Sequence, residues 1–195
     1  ASKNHVPVAH VEAGLRSYMM AMPEEQNRRL TDNLSTWLFC PTKIAVKNLA
    51  KEGIEHSGTK KPTLDNKAVI ECGDIMFEAS LYYRGKALQK RSNLLQNTPN
   101  HFALLTIHRA ENTDSRENLT KIIKALNSYN KMDFIFPIHP RTKKILNEYN
   151  LKLHSHIHTI DPVGYFDMIA LESKCEFVVT DSGGVQKEAY FFGKP

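Results

Sequence analysis

Phe102-Ala103-Leu104-Leu105-Thr106-Ile107, an apolar run closed by His108-Arg109, reads as a strand, and the chain on either side of it decides the fold. Downstream, the pattern predicts a helix over 116–129, a strand over 133–138, a helix over 141–149 and a strand over 156–160. It continues with a helix near 165–171, a strand over 176–180 and a helix over 184–192 that Gly193 closes. Repeated strand and helix alternation implies a parallel sheet covered on both faces. Ligands of such sheets sit beyond the carboxyl ends of the strands, and His108 and Ser182 both follow strands at that edge.

Upstream, residues 5–11 read as a strand, and Leu30, Leu34, Trp37 and Leu38 carry helical spacing through a helix over 24–38. Pro23 suits its first turn, with Glu24 and Glu25 near the positive end of the dipole. Thr42 caps a further helix that Gly53 ends. A polar stretch over 55–66 leads to a strand over 68–71, a helix over 75–88 and a linker rich in Asn, Gln and Pro near 89–100. The chain starts in a strand and stops at Gly193-Lys194-Pro195 with no strand after it, so it reads as a piece of a longer protein.

With 195 residues, 41% hydrophobic and 24% charged, the composition is that of a globular chain able to build a core. No apolar run approaches the roughly 18 residues of a membrane span, and the start lacks the regions of a signal peptide, which predicts a cytoplasmic protein with no membrane partner. The formal charge of +5 does not point to nucleic acid, because lysines such as Lys43, Lys47 and Lys51, or Lys121 and Lys124, are spaced as on solvated helix faces. Cys40, Cys72 and Cys175 form neither a CxxC nor an even set, so they are expected to be buried small apolar groups.

Four stretches carry chemistry. In Asp181-Ser182-Gly183-Gly184, glycines after a strand let amides approach phosphate oxygens at a helix N-terminus; the alternative is an ordinary turn in which Asp181 or Ser182 caps the helix. Glu188, one turn further, either accepts from a ribose hydroxyl pair or faces solvent. His108, beside Arg109 and Glu111, can donate to phosphate or shuttle a proton, and His139 repeats the arrangement after the next strand with Arg141 nearby. Glu12 follows a strand and Glu24 opens a helix, so a loop can bring both carboxylates to one cleft as acid and base; as plain surface acids they would only favour the helix dipole. Arg28, one turn after Glu24, either offsets its charge or grips phosphate. His154, His156 and His158 alternate on one strand face, but no carboxylate accompanies them and no metal site is expected.

Taken together, His10-Val11-Glu12-Ala13-Gly14-Leu15-Arg16, Pro23-Glu24-Glu25-Gln26-Asn27-Arg28, Thr106-Ile107-His108-Arg109-Ala110-Glu111-Asn112 and Thr180-Asp181-Ser182-Gly183-Gly184-Val185-Gln186-Lys187-Glu188 resemble the non-hydrolysing UDP-N-acetylglucosamine 2-epimerases along nearly the whole chain. That resemblance implies an α/β fold with two Rossmann-like domains of GT-B type, incomplete here. Residues 1–72 would be the remainder of the N-terminal domain, and 73–195 a truncated UDP-binding domain. It implies interconversion of UDP-N-acetylglucosamine and UDP-N-acetylmannosamine through elimination of UDP across C1 and C2, without redox cofactor or metal, for surface polysaccharide synthesis.

Carried over by motif, Glu12 and Glu24 match the acid/base carboxylates and His108 the histidine beside the diphosphate. Ser182, Gly183 and Gly184 match the phosphate turn, Glu188 the ribose ligand and Arg28 a supporting arginine. Apart from the resemblance, Arg109 and His139 read from their own strand-end positions as candidate contacts to an anionic part of the substrate, with His139 also the candidate for an effector contact. The uracil segment matches 162–168, where Val163 and Met168 replace the glutamine and phenylalanine of some members, which keeps backbone contacts and removes side-chain stacking. A third catalytic carboxylate and a glycine-arginine phosphate motif would precede Ala1, so this piece alone is expected to be inactive. A hydrolysing relative, a glycosyltransferase of the same architecture and a UDP-sugar-binding module without chemistry are the competing readings, and a homodimer is left open.

Overall fold

The computed structural model describes residues 1–56, 58, 61–89 and 93–195. Parts of the polar stretch at 55–66 and of the linker at 89–100 therefore lie outside the described residues. The chain divides into two compact units, Ala1–Met76 and Phe77–Pro195.

In the first unit β1 (Ala9–Val11), β2 (Trp37–Cys40) and β3 (Ala68–Glu71) form a parallel sheet in that order, with Ala9 opposite Trp37 and Leu38 opposite Val69. Helices α1 (Pro23–Leu34) and α2 (Lys43–Lys51) make the crossovers. Alternate β2 residues Leu38 and Cys40 turn to the face covered by Ala45 and Leu49 of α2, with Ala13 and Ile54 completing the cluster. Thr42 caps α2, its hydroxyl accepting from the Ala45 N–H at 3.2 Å, and Gly53 follows with φ 77°.

Three expectations fail here. The helix does not continue to Leu38: Leu34 ends it, Ser35 is extended, and Trp37–Cys40 is a strand. The apolar spacing misleads because Leu30 and Leu34 are exposed, whereas the residues α1 buries are the acids Glu25 and Asp32. The strand expected over 5–11 is confined to Ala9–Val11, preceded by a 3-10 turn at Ser2–Asn4. Of the cysteines, Cys40 and Cys175 are buried as expected, while Cys72 is exposed just past the end of β3.

α3 (Ile75–Gln89) and the short α4 (Asn93–Gln96) precede the second sheet, which comprises β4 (Phe102–Thr106), β5 (Asp133–Pro137), β6 (Ile157–Ile160) and β7 (Val178–Thr180). All pairings are parallel and the order is β6-β5-β4-β7. Its helices are α5 (Ala110–Thr113), α6 (Arg116–Ser128), α7 (Pro140–Glu148), α8 (Tyr165–Lys174) and α9 (Gly183–Phe191). Every residue of β4 is buried, as a central strand covered on both faces must be. Ala103 and Leu105 meet Leu119, Ile123 and Leu126 of α6, whereas Phe102 and Leu104 meet Leu171 of α8 and Cys175. Each fully buried aliphatic or aromatic side chain in these layers contributes about 1.5–3 kcal/mol.

From β4 the chain winds outward to β5 and β6, then returns to place β7 on the opposite side of β4. The loops after β4 and β7 therefore diverge to opposite faces and leave a crevice between them. The histidine alternation is only partly a strand feature, because β6 starts at Ile157; His156 contacts the Leu126 carbonyl and His158 pairs with Asp133. Among the described residues no cluster of His, Cys, Asp or Glu suits a metal, and no helix is long and apolar enough to cross a membrane.

Candidate functional site

At the β4/β7 divergence lies a cavity of about 270 Å³, lined by Thr106, Ile107, His108, Pro137, His139, Pro162, Val163, Met168 and Val185. Four residues singled out in the sequence, His108, His139, Val163 and Met168, thus share one cavity. Its wall is mostly apolar, supplied by Ile107, Pro137, Pro162, Val163 and Met168, and its polar groups come from strand ends.

α9 starts beside it. The Ser182 hydroxyl caps the helix by accepting from the Val185 N–H, the Gln186 N–H reaches the Ser182 carbonyl, and the Ser182 N–H donates to the Thr180 hydroxyl at 2.9 Å. Those bonds leave the Gly183 and Gly184 N–H groups as the helix's outward donors, at its positive end. Both glycines are exposed, and a Cβ at Gly183 would meet the Arg109 guanidinium at 3.9 Å. Two amides, one guanidinium and a dipole end make a seat for an anion of phosphate size.

Asp181 fixes this arrangement. Its carboxylate accepts from the backbone N–H of His108 at 3.1 Å and of Arg109 at 3.0 Å, and from the Asn112 amide at 3.0 Å, tying the loop after β4 to the end of β7. The cap is Ser182, so of the two candidates in the sequence the aspartate has the different task. The His108 ring, half exposed, sits with Nδ1 3.5 Å from the same carboxylate. His139 caps α7, its Nδ1 accepting from the Arg141 N–H, so the neutral ring carries its proton on Nε2.

Glu188 is half-buried and lies against Glu172 of α8, which is fully buried. Burial, then the neighbouring Glu188 carboxylate, pushes the Glu172 carboxyl up to about 9, and burial raises Glu188 as well. With both ionised, neither Glu172 oxygen finds a donor; with a proton on Glu172, it donates to Glu188. Glu172 is thus held as the neutral acid at neutral pH.

In the first unit Glu12 follows β1, half-buried, with φ 68°, and Glu24 is exposed in the first turn of α1. The loop between them is anchored on two other acids. Buried Glu25 accepts from the Ser17 N–H at 2.8 Å, the Ser17 hydroxyl at 3.0 Å and the Tyr18 N–H at 3.3 Å. Arg28, read from the sequence as a partner for Glu24, forms its ion pair with Glu25 at 2.9 Å, and its buried Nε has no acceptor. Burial alone would raise Glu25, but the Ser17 N–H, Arg28, the Ser17 hydroxyl and the Tyr18 N–H together hold it down at about 2.

Asp32, also fully buried, takes His10 Nδ1 at 2.6 Å, the Gly14 N–H at 3.2 Å and Arg16 at 2.7 Å. Arg16 is clamped on its other side by both oxygens of Glu52, at 2.8 and 2.7 Å, and that hydrogen-bonded pairing raises the guanidinium and lowers the Glu52 carboxyl. Sequence reading missed Asp32 and Glu172, gave Arg16 no task of its own, and gave Glu25 and Asp181 other tasks, near a helix dipole and as a helix cap. A buried acid on a helix leaves no mark in apolar spacing.

The family model for UDP-N-acetylglucosamine 2-epimerase matches residues 1–195. A Pseudomonas aeruginosa UDP-2,3-diacetamido-2,3-dideoxy-D-glucuronate 2-epimerase is 47% identical, with all of this chain and 52% of that protein covered. The UDP-N-acetylglucosamine 2-epimerase of Methanocaldococcus jannaschii is 44% identical over all of this chain and 54% of its own length. The crystal structure of the M. jannaschii enzyme in complex with UDP-GlcNAc and UDP superimposes with a TM-score of 0.85 at 42% identity, again over 100% of this chain and 54% of that one. The chain spans about half the length of the curated relatives it matches. Two parallel α/β units, and a family model matched from end to end over residues 1–195, place the chain in the UDP-N-acetylglucosamine 2-epimerase family.

Proposed function

We propose that the protein carrying this chain interconverts UDP-N-acetylglucosamine and UDP-N-acetylmannosamine, with UDP held by residues 73–195 and acid/base chemistry supplied from residues 1–72. The observation that carries the reading is the crevice at the end of β4 and β7, where the free amides of Gly183 and Gly184 and the Arg109 guanidinium converge beside an apolar cavity. The diphosphate takes the amides and Arg109, with His108 alongside; Val163 and Met168 flank the base; Glu188 accepts from the ribose. A lining with no Phe, Tyr or Trp among the described residues suits recognition of uracil through backbone groups.

A carboxylate of the pair Glu12 and Glu24 removes the C2 proton while the C1–oxygen bond breaks and UDP leaves, giving the 2-acetamidoglucal. The other, which takes part as the carboxylic acid, gives its proton to C2 on the opposite face as UDP re-adds at C1. Positioned proton transfer of this kind contributes about 10²–10⁴ in rate. Arg28, whose buried Nε lacks an acceptor, is a further candidate for the phosphate. We place the activity in the cytoplasm, feeding surface polysaccharide synthesis.

Incubation of the full-length protein with UDP-N-acetylglucosamine in deuterated buffer tests the reading. NMR should show deuterium at C2 and UDP-N-acetylmannosamine as product; turnover without label at C2 would refute elimination. Accumulation of UDP with free N-acetylmannosamine would assign the hydrolysing outcome instead. The 47% identity to a diacetamido-glucuronate 2-epimerase favours one second reading, a substrate substituted at C3 and C6, which the same assay resolves with that sugar nucleotide.

A further inference from the structure

Glu12 is a non-glycine residue in the left-handed region, at φ 68°, one residue past the end of β1. Such a conformation persists only where the surroundings over-determine it, and it recurs where a side chain must be aimed. The surroundings here are specific. Ala13 N–H continues the sheet by donating to the Phe39 carbonyl at 3.0 Å, which fixes the residue after Glu12. Gly14 follows with φ 77°, its carbonyl accepting from the Asn48 amide at 3.0 Å.

The decisive group is Asp32. Its carboxylate, buried on α1, is reached from His10 two residues before Glu12, from the Gly14 N–H two residues after it, and from Arg16 four residues after it. One acceptor thus grips the chain on both sides of Glu12. Arg16 cannot drift from this grip, because Glu52 holds its other edge through two hydrogen bonds. The Lys67 ammonium closes the end of the same helix, donating to the carbonyls of Asn33 and Ser35 at 2.7 Å each, so the element bearing Asp32 is itself pinned to the start of β3.

We infer that Asp32 is a positioning residue for Glu12, setting the orientation of that carboxylate through His10, Gly14 and Arg16 rather than by touching substrate. The inference rests on the proposed acid/base role of Glu12. Misplacement of a reacting group by about 1 Å costs roughly 100-fold in rate, and loss of a group that orients a reactive residue typically costs about 10–100-fold.

In the full-length protein, Asp32→Asn is expected to lower kcat for C2 epimerisation by about 10–100-fold with KM for the UDP-sugar within about threefold. Because Asp32→Asn also unbalances Arg16, a second pair keeps the test decisive. His10→Asn retains an N–H donor near the Nδ1 position and is expected to recover most of the kcat that His10→Ala loses. The inference is overturned if folded Asp32→Asn keeps kcat within threefold of the parent, or if His10→Asn and His10→Ala lose kcat equally. Glu12→Gln separates the two levels: if it abolishes C2 exchange while Asp32→Asn does not slow it, only the positioning role fails. If Glu12→Gln leaves exchange intact, the acid/base assignment fails and the inference with it.

Discussion

Replacing Glu172 by Gln should make the protein more stable at neutral and alkaline pH and leave it unchanged in mild acid. Glu172 has no exposed surface, and its folded carboxyl titrates at about 9 because burial, and next the Glu188 carboxylate, disfavour its charge; the ordinary value is 4.5. Between those two values the folded chain holds a proton that the unfolded chain releases, so stability falls as pH rises, by about 1.4 kcal/mol per unit. Below 4.5 the group adds no pH dependence, and above 9 the full cost has accumulated. At pH 7, about 2.5 units above the ordinary value, the loss is roughly 3 kcal/mol, and at pH 8 it approaches 5 kcal/mol. Glutamine keeps the shape and an N–H donor for Glu188 but has no proton to lose. Urea unfolding of the full-length parent and Glu172→Gln at pH 5, 6, 7 and 8, with hydrogen exchange of α8 to locate the effect, measures the difference. The two curves should differ by less than about 1 kcal/mol at pH 5 and separate by about 3 kcal/mol at pH 7. Parallel curves over that range would show that Glu172 ionises in place, and the neutral-acid assignment would fall.

Two glycines that look alike in sequence should respond oppositely. At Gly14, φ is 77° and an added Cβ would lie 2.4 Å from the Ala45 carbonyl oxygen, so Gly14→Ala should destabilise by about 3–5 kcal/mol and lower the melting temperature. At Gly184 the nearest atom would be the Ser182 hydroxyl at 3.9 Å, so Gly184→Ala should melt as the parent does while UDP affinity by calorimetry falls about tenfold or more; unaltered affinity would remove the phosphate from that turn. Glu25, held at about 2, contributes stability that is present above 4.5 and lost as pH falls toward 2. Glu25→Gln should therefore flatten the acid limb of the stability curve, and an acid midpoint equal to the parent's would contradict the hydrogen-bond account.

The second sheet was legible because its signals are local. β4 is apolar up to Thr106, Ser115 and Ser182 mark helix starts, and Gly193 marks an end, so the strands and long helices could be placed within a few residues, while the four-residue helices α4 and α5 are too short to leave a period and were not foreseen. Thr42 and Gly53 delimited α2 in the same way. The first unit defeated the apolar period at α1, where Leu30 and Leu34 face solvent and the inward groups are Glu25 and Asp32. Arg28 satisfies Glu25 from within one helical turn, but the remaining partners of both acids, backbone N–H groups, the Ser17 hydroxyl, the His10 ring and Arg16, lie 7 to 22 positions away, and nothing in the helix announces them. The same holds for Glu172, whose partner lies on the next helix. A motif locates the crevice; the groups that hold the motif rigid are visible only once the chain has folded.

Those holding groups share one chemical solution. Asp181 takes three N–H donors from the loop after β4 and the short α5 that follows it, and Asp32 takes three from β1 and the loop after it. Each loop carries a residue proposed for the reaction, His108 in one and Glu12 in the other. An ionised carboxylate is suited to this because it only accepts, through two oxygens with about four lone-pair sites, and its short stem brings little freedom of its own. Asparagine offers a single acceptor oxygen and turns an NH2 group toward donors, so it cannot serve three N–H groups at once. The acids that hold the loops are thereby separate from those proposed to move protons, and that separation lets the latter change charge during a cycle without loosening the frame around them.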